Sequence, residues 1–169
     1  FGFTENFTVV LEKKIPAQAG LGGGSSDGAA VMRALRKHFG WNIDDQALSA
    51  LGLRVGADVP FCVIDKPAVV TGIGQFVEPF ELDHDYKVLL VKPRGGVSTV
   101  QAYRNYDSLT ADHPDCARIR QALIEGREED LASLIGNSLE EAAFSLNRQI
   151  EPIKREMRQM GLDVSMMSG

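Results

Sequence analysis

The spacing of hydrophobic residues changes several times along the chain. Phe7, Val9 and Leu11 alternate with Thr8, Val10 and Glu12, a period that predicts a strand ending near Lys14 with Phe1-Gly2-Phe3 as its approach. Pro16 breaks the pattern, and small residues follow to Ser26. The period then becomes helical. Val31, Leu35 and Phe39 recur at i+4 with Met32 beside them, Arg33, Arg36 and Lys37 fall on the other side, and Gly40 stops the helix. A second helix is predicted from Asp44, whose carboxylate can cap free amides, with Ala47, Leu48, Leu51 and Leu53 turned inward.

Gly56-Ala57-Asp58-Val59-Pro60 reads as a sharp loop in which Pro60 drives Val59 toward an extended shape, and Phe61 to Ile64 as an apolar strand. Val69 to Thr71 and Phe76 to Phe80 predict strands joined at Gly72 and Gly74, and Tyr86 to Pro93 predicts another. Helices are predicted at about Thr99 to Tyr106, Asp115 to Glu125, Glu128 to Ile135 and Arg148 to Met160. In the last, Ile150, Ile153, Met157 and Met160 form a stripe that reads as core, and Pro152 is tolerated in the first turn. These elements predict an α+β chain of two small units, residues 1–83 and 84–169, joined in the polar stretch Glu81 to Asp85.

Composition narrows the function classes. A net charge of −5 without a basic cluster argues against nucleic acid as a partner. Apolar runs such as Val88 to Val91 are too short for a membrane span, so no membrane partner is expected. Cys62 and Cys116 are too far apart to suggest a disulfide scaffold, and His38, His84 and His113 share no ligand spacing, so no protein-built metal centre is expected. The chain reads as a reduced, cytoplasmic protein. It opens on Phe1 rather than Met and stops in the small residues Ser165 to Gly169, which reads as a segment of a longer polypeptide.

The stretch that carries chemistry is Pro16-Ala17-Gln18-Ala19-Gly20-Leu21-Gly22-Gly23-Gly24-Ser25-Ser26-Asp27, between a predicted strand and a predicted helix. Glycines at 20, 22, 23 and 24 remove β-carbons that would keep a ligand from the main-chain amides. The following helix directs its unpaired N–H groups and positive dipole end into the loop, which makes an anion cradle. Ser25 and Ser26 can cap that helix or bind phosphate or a metal, and Asp27 reads as a first-turn carboxylate favouring the helix. No lysine stands near Ser25, so this is not a Walker loop; position 25 is serine, so it is not a dinucleotide fingerprint. A flexible glycine turn with a serine cap is the plain alternative.

Pro16 to Asp27 resembles the ATP-binding motif of the GHMP kinases, the family of galactokinase, homoserine kinase and mevalonate kinase. The triple-glycine form is similar to that of members acting on a cytidine diphosphate-linked alcohol in isoprenoid precursor synthesis. Gly56 to Phe61 resembles the segment holding the catalytic aspartate, and Gly96-Val97-Ser98-Thr99 with Tyr103 resembles the cytidine-side loop. The resemblance implies a two-domain fold, incomplete here at both ends. Its N-terminal part would be like ribosomal protein S5 domain 2, and its C-terminal part a ferredoxin-like α/β sandwich.

The resemblance further implies ATP and Mg²⁺, and a small-molecule cytidine diphosphate-linked substrate; a homodimer is left open. It assigns Asp58 as the catalytic base and Thr99 and Tyr103 to the substrate, Tyr103 by stacking on the cytosine. Lys13 and residues Pro16, Ala17, Gln18, Ala19, Gly20, Leu21, Gly22, Gly23, Gly24, Ser25 and Ser26 would contact the nucleotide. Structural alternatives stand beside these: a turn-capping role for Asp58, a half-buried helix aromatic for Tyr103, and a solvated strand-end lysine for Lys13. The family's Pro-Ala-Lys strand precedes the point where this chain starts, and its third, Gly-rich motif is reached only at Ser168-Gly169. The segment alone is therefore not expected to be fully active. Other GHMP small-molecule kinases, of homoserine or mevalonate type, and a non-catalytic nucleotide-binding module are the competing readings.

Overall fold

The computed structural model describes residues 5–108 and 113–169. The predicted approach at Phe1 to Phe3 lies outside the described residues. The first half contains α1 (Gly23–His38), α2 (Asp45–Gly52), α3 (Val59–Ile64) and a hairpin of β1 (Ala68–Thr71) and β2 (Phe76–Pro79). The second half contains α4 (Thr99–Tyr106), α5 (Cys116–Glu125), α6 (Glu128–Leu134), α7 (Glu140–Leu146) and α8 (Ile150–Gln159).

Side chains of α1, α2 and α3 meet in one cluster: Ala29, Leu48, Val59 and Val63 are buried, with Met32, Ile43 and Cys62 packed around them. Asp44 caps α2 by accepting from the Ala47 amide at 2.7 Å, as its position predicts. Leu48 is buried but Ala47 is exposed; the inward positions of α2 also include Ser49 and Gly52. Gly52 allows close approach, since a β-carbon there would lie 2.9 Å from Val59 Cγ1. Past α1, Gly40 turns left-handed at φ 62°, and the Trp41 amide reaches back to the Arg36 carbonyl at 3.0 Å, a Schellman closure.

Phe61 to Ile64 is not a strand but most of helix α3. A short apolar run has no period that separates the two states, and packing against both α1 and α2 decides for the helix. Pro60 occupies the first turn, where its missing N–H costs nothing, and Val59 is helical rather than extended. Arg33 and Arg36 also depart from the expected solvent side. Arg33 donates to the Cys62 and Val63 carbonyls at the end of α3, and Arg36 pairs with Asp45 at 2.8 Å.

β1 and β2 pair antiparallel, Val69 opposite Glu78 and Val70 opposite Val77, with Gly72 and Gly74 in the turn. The alternating segment at 7–14 and the apolar segment at 86–93 form no ladder among the described residues, and their hydrophobic side chains are largely exposed. Alternation records a strand's two faces, but a strand exists only when its N–H and C=O groups find a partner.

In the second half α4 packs on α7, α5 on α6 and α7 on α8, burying Ala102, Ala122, Leu131, Ala142 and Ala143. Helix α7 has no counterpart in the sequence reading. The stripe Ile150, Ile153, Met157, Met160 is not core: α8 has no fully buried residue and Met160 is exposed. The halves are tied by Arg120 of α5, which pairs with Glu78 at 2.6 Å and lies 5.5 Å over the Phe80 ring. Among the described residues no helix is long and apolar enough to cross a membrane.

Candidate active site

The glycine tract enters α1 through left-handed backbone, with φ of 53° at Gln18, 66° at Gly20 and 60° at Gly22. Gly22 is the residue from which α1 departs, and no side chain caps it. The amides of Gly23, Gly24 and Ser25 therefore lack intrahelical acceptors and stand at the positive end of the helix dipole. No acidic side chain sits in that first turn. A β-carbon on Gly22 or Gly24 would meet nothing within 4 Å, so the space beside these amides is open.

The other glycines of the tract face protein. A β-carbon on Gly23 would lie 2.9 Å from Ile15 Cγ2, and one on Gly20 only 1.7 Å from the Ser168 carbonyl oxygen. Ser168 Oγ also donates to the Gly20 carbonyl at 2.8 Å. That C-terminal segment is held in turn by Asn137, whose Nδ2 donates to the carbonyls of Met167 at 3.0 Å and Gly169 at 2.8 Å. Glu140 Oε1 accepts from the Met167 amide at 2.7 Å, while Oε2 engages Lys154. Asn137 and Glu140 carried no signal in the sequence, because their role is set by a segment about thirty residues away in each case.

Ser25 and Ser26 lie within the first turn rather than ahead of it. Ser26 Oγ donates to the Gly23 carbonyl at 2.9 Å, which occupies its proton and leaves its oxygen able to accept or ligate. Asp27 is past the first turn and pairs with Lys13. That pairing replaces the expected helix-start role of Asp27, and it engages the Lys13 ammonium beside α1.

Asp58 is exposed and immediately precedes α3, yet its side chain makes no capping bond. Among the described residues its carboxylate makes no hydrogen bond or ion pair, so the turn-capping alternative has no contact behind it. Its loop is placed by its neighbours. Val59 is buried with Ala29 of α1, and a β-carbon at Gly28 would stand 3.9 Å from Val55 Cγ1. Asp58 thus lies beside the N-terminal half of the helix whose amides open onto the glycine tract. Cys62, one turn further on α3, has its thiol pKa raised by partial burial, with the Asp58 charge adding to the effect.

Gly96 meets the tract from the other half: a β-carbon there would lie 2.6 Å from Gln18 Oε1. Thr99 opens α4 and Tyr103 follows at i+4, which puts them on one helix face; both are exposed. The structure thus joins the Pro16 to Ser26 tract to the Gly96 loop and to Ser168, and sets Asp58 against α1. The open amides fit phosphate oxygens, and the serine hydroxyls are hard oxygen donors of the kind Mg²⁺ accepts.

The chain is similar in sequence and fold to known proteins. Residues 1–66 match the model of the GHMP kinases N terminal domain. The chain is 40% identical, over its whole length and 60% of the relative's, to a 4-diphosphocytidyl-2-C-methyl-D-erythritol kinase of Limosilactobacillus fermentum. It is 36% identical to the protein of the same name from Bacillus pumilus, again over its whole length and 58% of that protein. A crystal structure of 4-(cytidine 5'-diphospho)-2C-methyl-D-erythritol kinase superposes with a TM-score of 0.69 at 33% identity, covering 94% of this chain and 56% of that one. The chain spans less than two thirds of the length of these relatives. The chain is thus similar to the GHMP kinases N terminal domain over residues 1–66, and over nearly its whole length to part of these kinases.

Proposed function

We propose that the chain forms part of an ATP-dependent kinase that phosphorylates the 2-hydroxyl of 4-diphosphocytidyl-2-C-methyl-D-erythritol. The observation that carries this reading is the open, uncapped first turn of α1 with an unpaired carboxylate, Asp58, at the head of the helix packed beside it. Phosphoryl transfer needs charge neutralisation and in-line positioning more than covalent help from the protein. The amides of Gly23, Gly24 and Ser25, with the α1 dipole, take the charge of the phosphate oxygens. Mg²⁺, held by the nucleotide and the Ser25 or Ser26 hydroxyl, would supply further neutralisation.

Asp58 accepts the proton of the acceptor hydroxyl as the hydroxyl oxygen bonds to the γ-phosphorus, whose bond to the bridging oxygen breaks to release ADP. A carboxylate with no partner of its own is available for that role. Thr99 and Tyr103 hold the cytidine end, Tyr103 by offering an aromatic face. Lys13, and the tract from Pro16 to Ser26, hold the nucleotide. Residues 1–83 and 84–169 serve as the ATP-side and acceptor-side units, which is why the Gln18–Gly96 contact between them matters.

The test uses a polypeptide carrying this chain at the relatives' full length, assayed for ATP-dependent phosphorylation of a panel containing the cytidine-linked alcohol, homoserine and mevalonate. Phosphorylation of the first alone supports the reading. Turnover of homoserine or mevalonate instead moves the chain to another acceptor, and nucleotide binding without turnover of any acceptor makes it a binding module. Asp58→Asn should lower kcat by roughly 10²- to 10⁴-fold with nucleotide binding retained; near-normal turnover removes Asp58 from the chemistry. Tyr103→Ala should raise KM for the cytidine-linked acceptor and leave that for ATP unchanged.

A further inference from the structure

The turn of the β1–β2 hairpin touches the loop that carries Asp58. Gly74 has φ 103° and its amide donates to the Thr71 carbonyl at 3.3 Å, closing the turn. A β-carbon at Gly74 would lie 2.0 Å from the Ala57 carbonyl oxygen, 2.9 Å from the Ala57 carbonyl carbon and 3.3 Å from its Cα. All three are backbone atoms of the residue before Asp58, so no side-chain rotation can make room. Gly72, in the same turn at φ 70°, differs in this respect. Its β-carbon would first meet the amide end of the Gln75 side chain, at 2.4 Å, which can swing away at the cost of the bond its Oε1 accepts from the Ile73 amide.

We propose that Gly74 is a positioning residue for Asp58: the hairpin turn is a backstop that fixes the Ala57 peptide, and with it the direction in which the Asp58 carboxylate is presented. On its other side the loop is tied to the end of α2, where the Gly56 amide donates to the Gly52 carbonyl at 3.2 Å. Val59 and Pro60 are buried behind Asp58, whereas Ala57 and Asp58 are exposed. The Val59 amide donates to the Gly56 carbonyl at 3.1 Å, so the loop closes on itself and moves as a unit when one peptide is pushed. Any side chain at 74 pushes that unit away from the hairpin turn.

This proposal rests on the reading of Asp58 as the base, and the experiment separates the two. Gly74→Ala, Gly72→Ala, Asp58→Asn and the Gly74→Ala/Asp58→Asn pair are prepared in the full-length polypeptide, and each is measured for melting temperature, nucleotide binding, KM and kcat. Gly74→Ala should lower kcat by roughly 10²-fold, the effect of a displacement near 1 Å, with nucleotide binding and KM for ATP held. Gly72→Ala, which carries a similar positive-φ strain, should lose stability but keep kcat. In the Asp58→Asn background, Gly74→Ala should cause no further loss, because both act through one group.

Full kcat in Gly74→Ala, equal kcat losses in Gly72→Ala and Gly74→Ala, or additive losses in the pair would overturn the proposal while leaving Asp58 in place. So would a Gly74→Ala protein that fails to melt cooperatively beside a folded Gly72→Ala, which would make Gly74 a folding requirement instead. Near-normal turnover in Asp58→Asn would instead sink the base assignment and this proposal with it.

Discussion

Gln18 lies against Gly96, across the junction of the two halves: a β-carbon at residue 96 would stand 2.6 Å from Gln18 Oε1 and 2.8 Å from Gln18 Cβ. Gln18 is held at φ 53°, a conformation that a non-glycine residue adopts only when its surroundings impose it. The contact makes the shape of the glycine tract depend on the Gly96 loop. Gly96→Ala should therefore weaken nucleotide binding several-fold, although residue 96 is remote in sequence from the tract. Adding Gln18→Gly, which removes both the clash and the backbone strain, should restore binding. Titration with a fluorescent nucleotide checks both; unchanged affinity in Gly96→Ala would show that the contact yields without consequence.

Cys62 reports on Asp58 independently of catalysis. Its thiol pKa is raised first by burial and then by the neighbouring carboxylate of Asp58. A raised thiol pKa means less thiolate at any pH below it, hence slow alkylation. Iodoacetamide at mildly alkaline pH should modify the exposed Cys116 before Cys62. Asp58→Asn removes one of the charges opposing the thiolate, so the Cys62 pKa should fall and its alkylation should accelerate. Mass spectrometry of the two peptides over a pH series reads the change. A Cys62 profile unmoved by Asp58→Asn would place that carboxylate too far away to act on α3.

Glu140 combines a buried ion pair with an anchor for the C-terminal segment. One oxygen engages Lys154 and the other accepts from the Met167 amide at 2.7 Å. Glu140→Ala strands a largely buried ammonium, which should destabilise the fold by about 3 kcal/mol. Urea denaturation measures this. The same substitution frees residues 167–169, so nucleotide binding should weaken as Ser168 leaves Gly20. Replacement of both Glu140 and Lys154 by similarly sized apolar residues should recover stability but not the anchor.

Arg33 closes the end of a helix that is too short to stand alone. It donates to the Cys62 and Val63 carbonyls and lies 3.6 Å from the exposed Asp65 carboxylate. The carbonyl bonds matter more, because the ion pair is open to solvent. Arg33→Met should cost about 2 kcal/mol through the unsatisfied carbonyls of α3. Asp65→Ala, by contrast, should change stability little, and comparison of the two midpoints in urea decides between them.

Where the determinants are local, they are legible in the sequence. The Asp44 cap, the left-handed Gly40, the Gly72/Gly74 turn and the glycine tract at the head of α1 each follow from the preferences of a few adjacent residues. Phe61 to Ile64 reads as a strand and folds as a helix because four apolar residues lack a period, and docking on α1 and α2 decides the state. Helix α7 escaped because Glu140 to Leu146 mixes charged, small and polar residues, and its burial of Ala142 and Ala143 depends on α4 lying across it. The alternation from Phe7 to Leu11 marks two faces of an extended segment, but a ladder needs a second segment to complete it.

By itself the order of residues determined a local backbone arrangement suited to anions. Four glycines and two serines ahead of an amphipathic helix leave bare amides at a helix start, and that is a short-range property of backbone geometry. Only the tertiary structure decided what surrounds those amides. It set Asp58 unpaired beside α1, pressed Gly74 on Ala57, and brought Gln18 to Gly96 and Gly20 to Ser168. Each of these contacts joins residues far apart in the chain, and close packing of the folded elements, rather than any local preference, selects them.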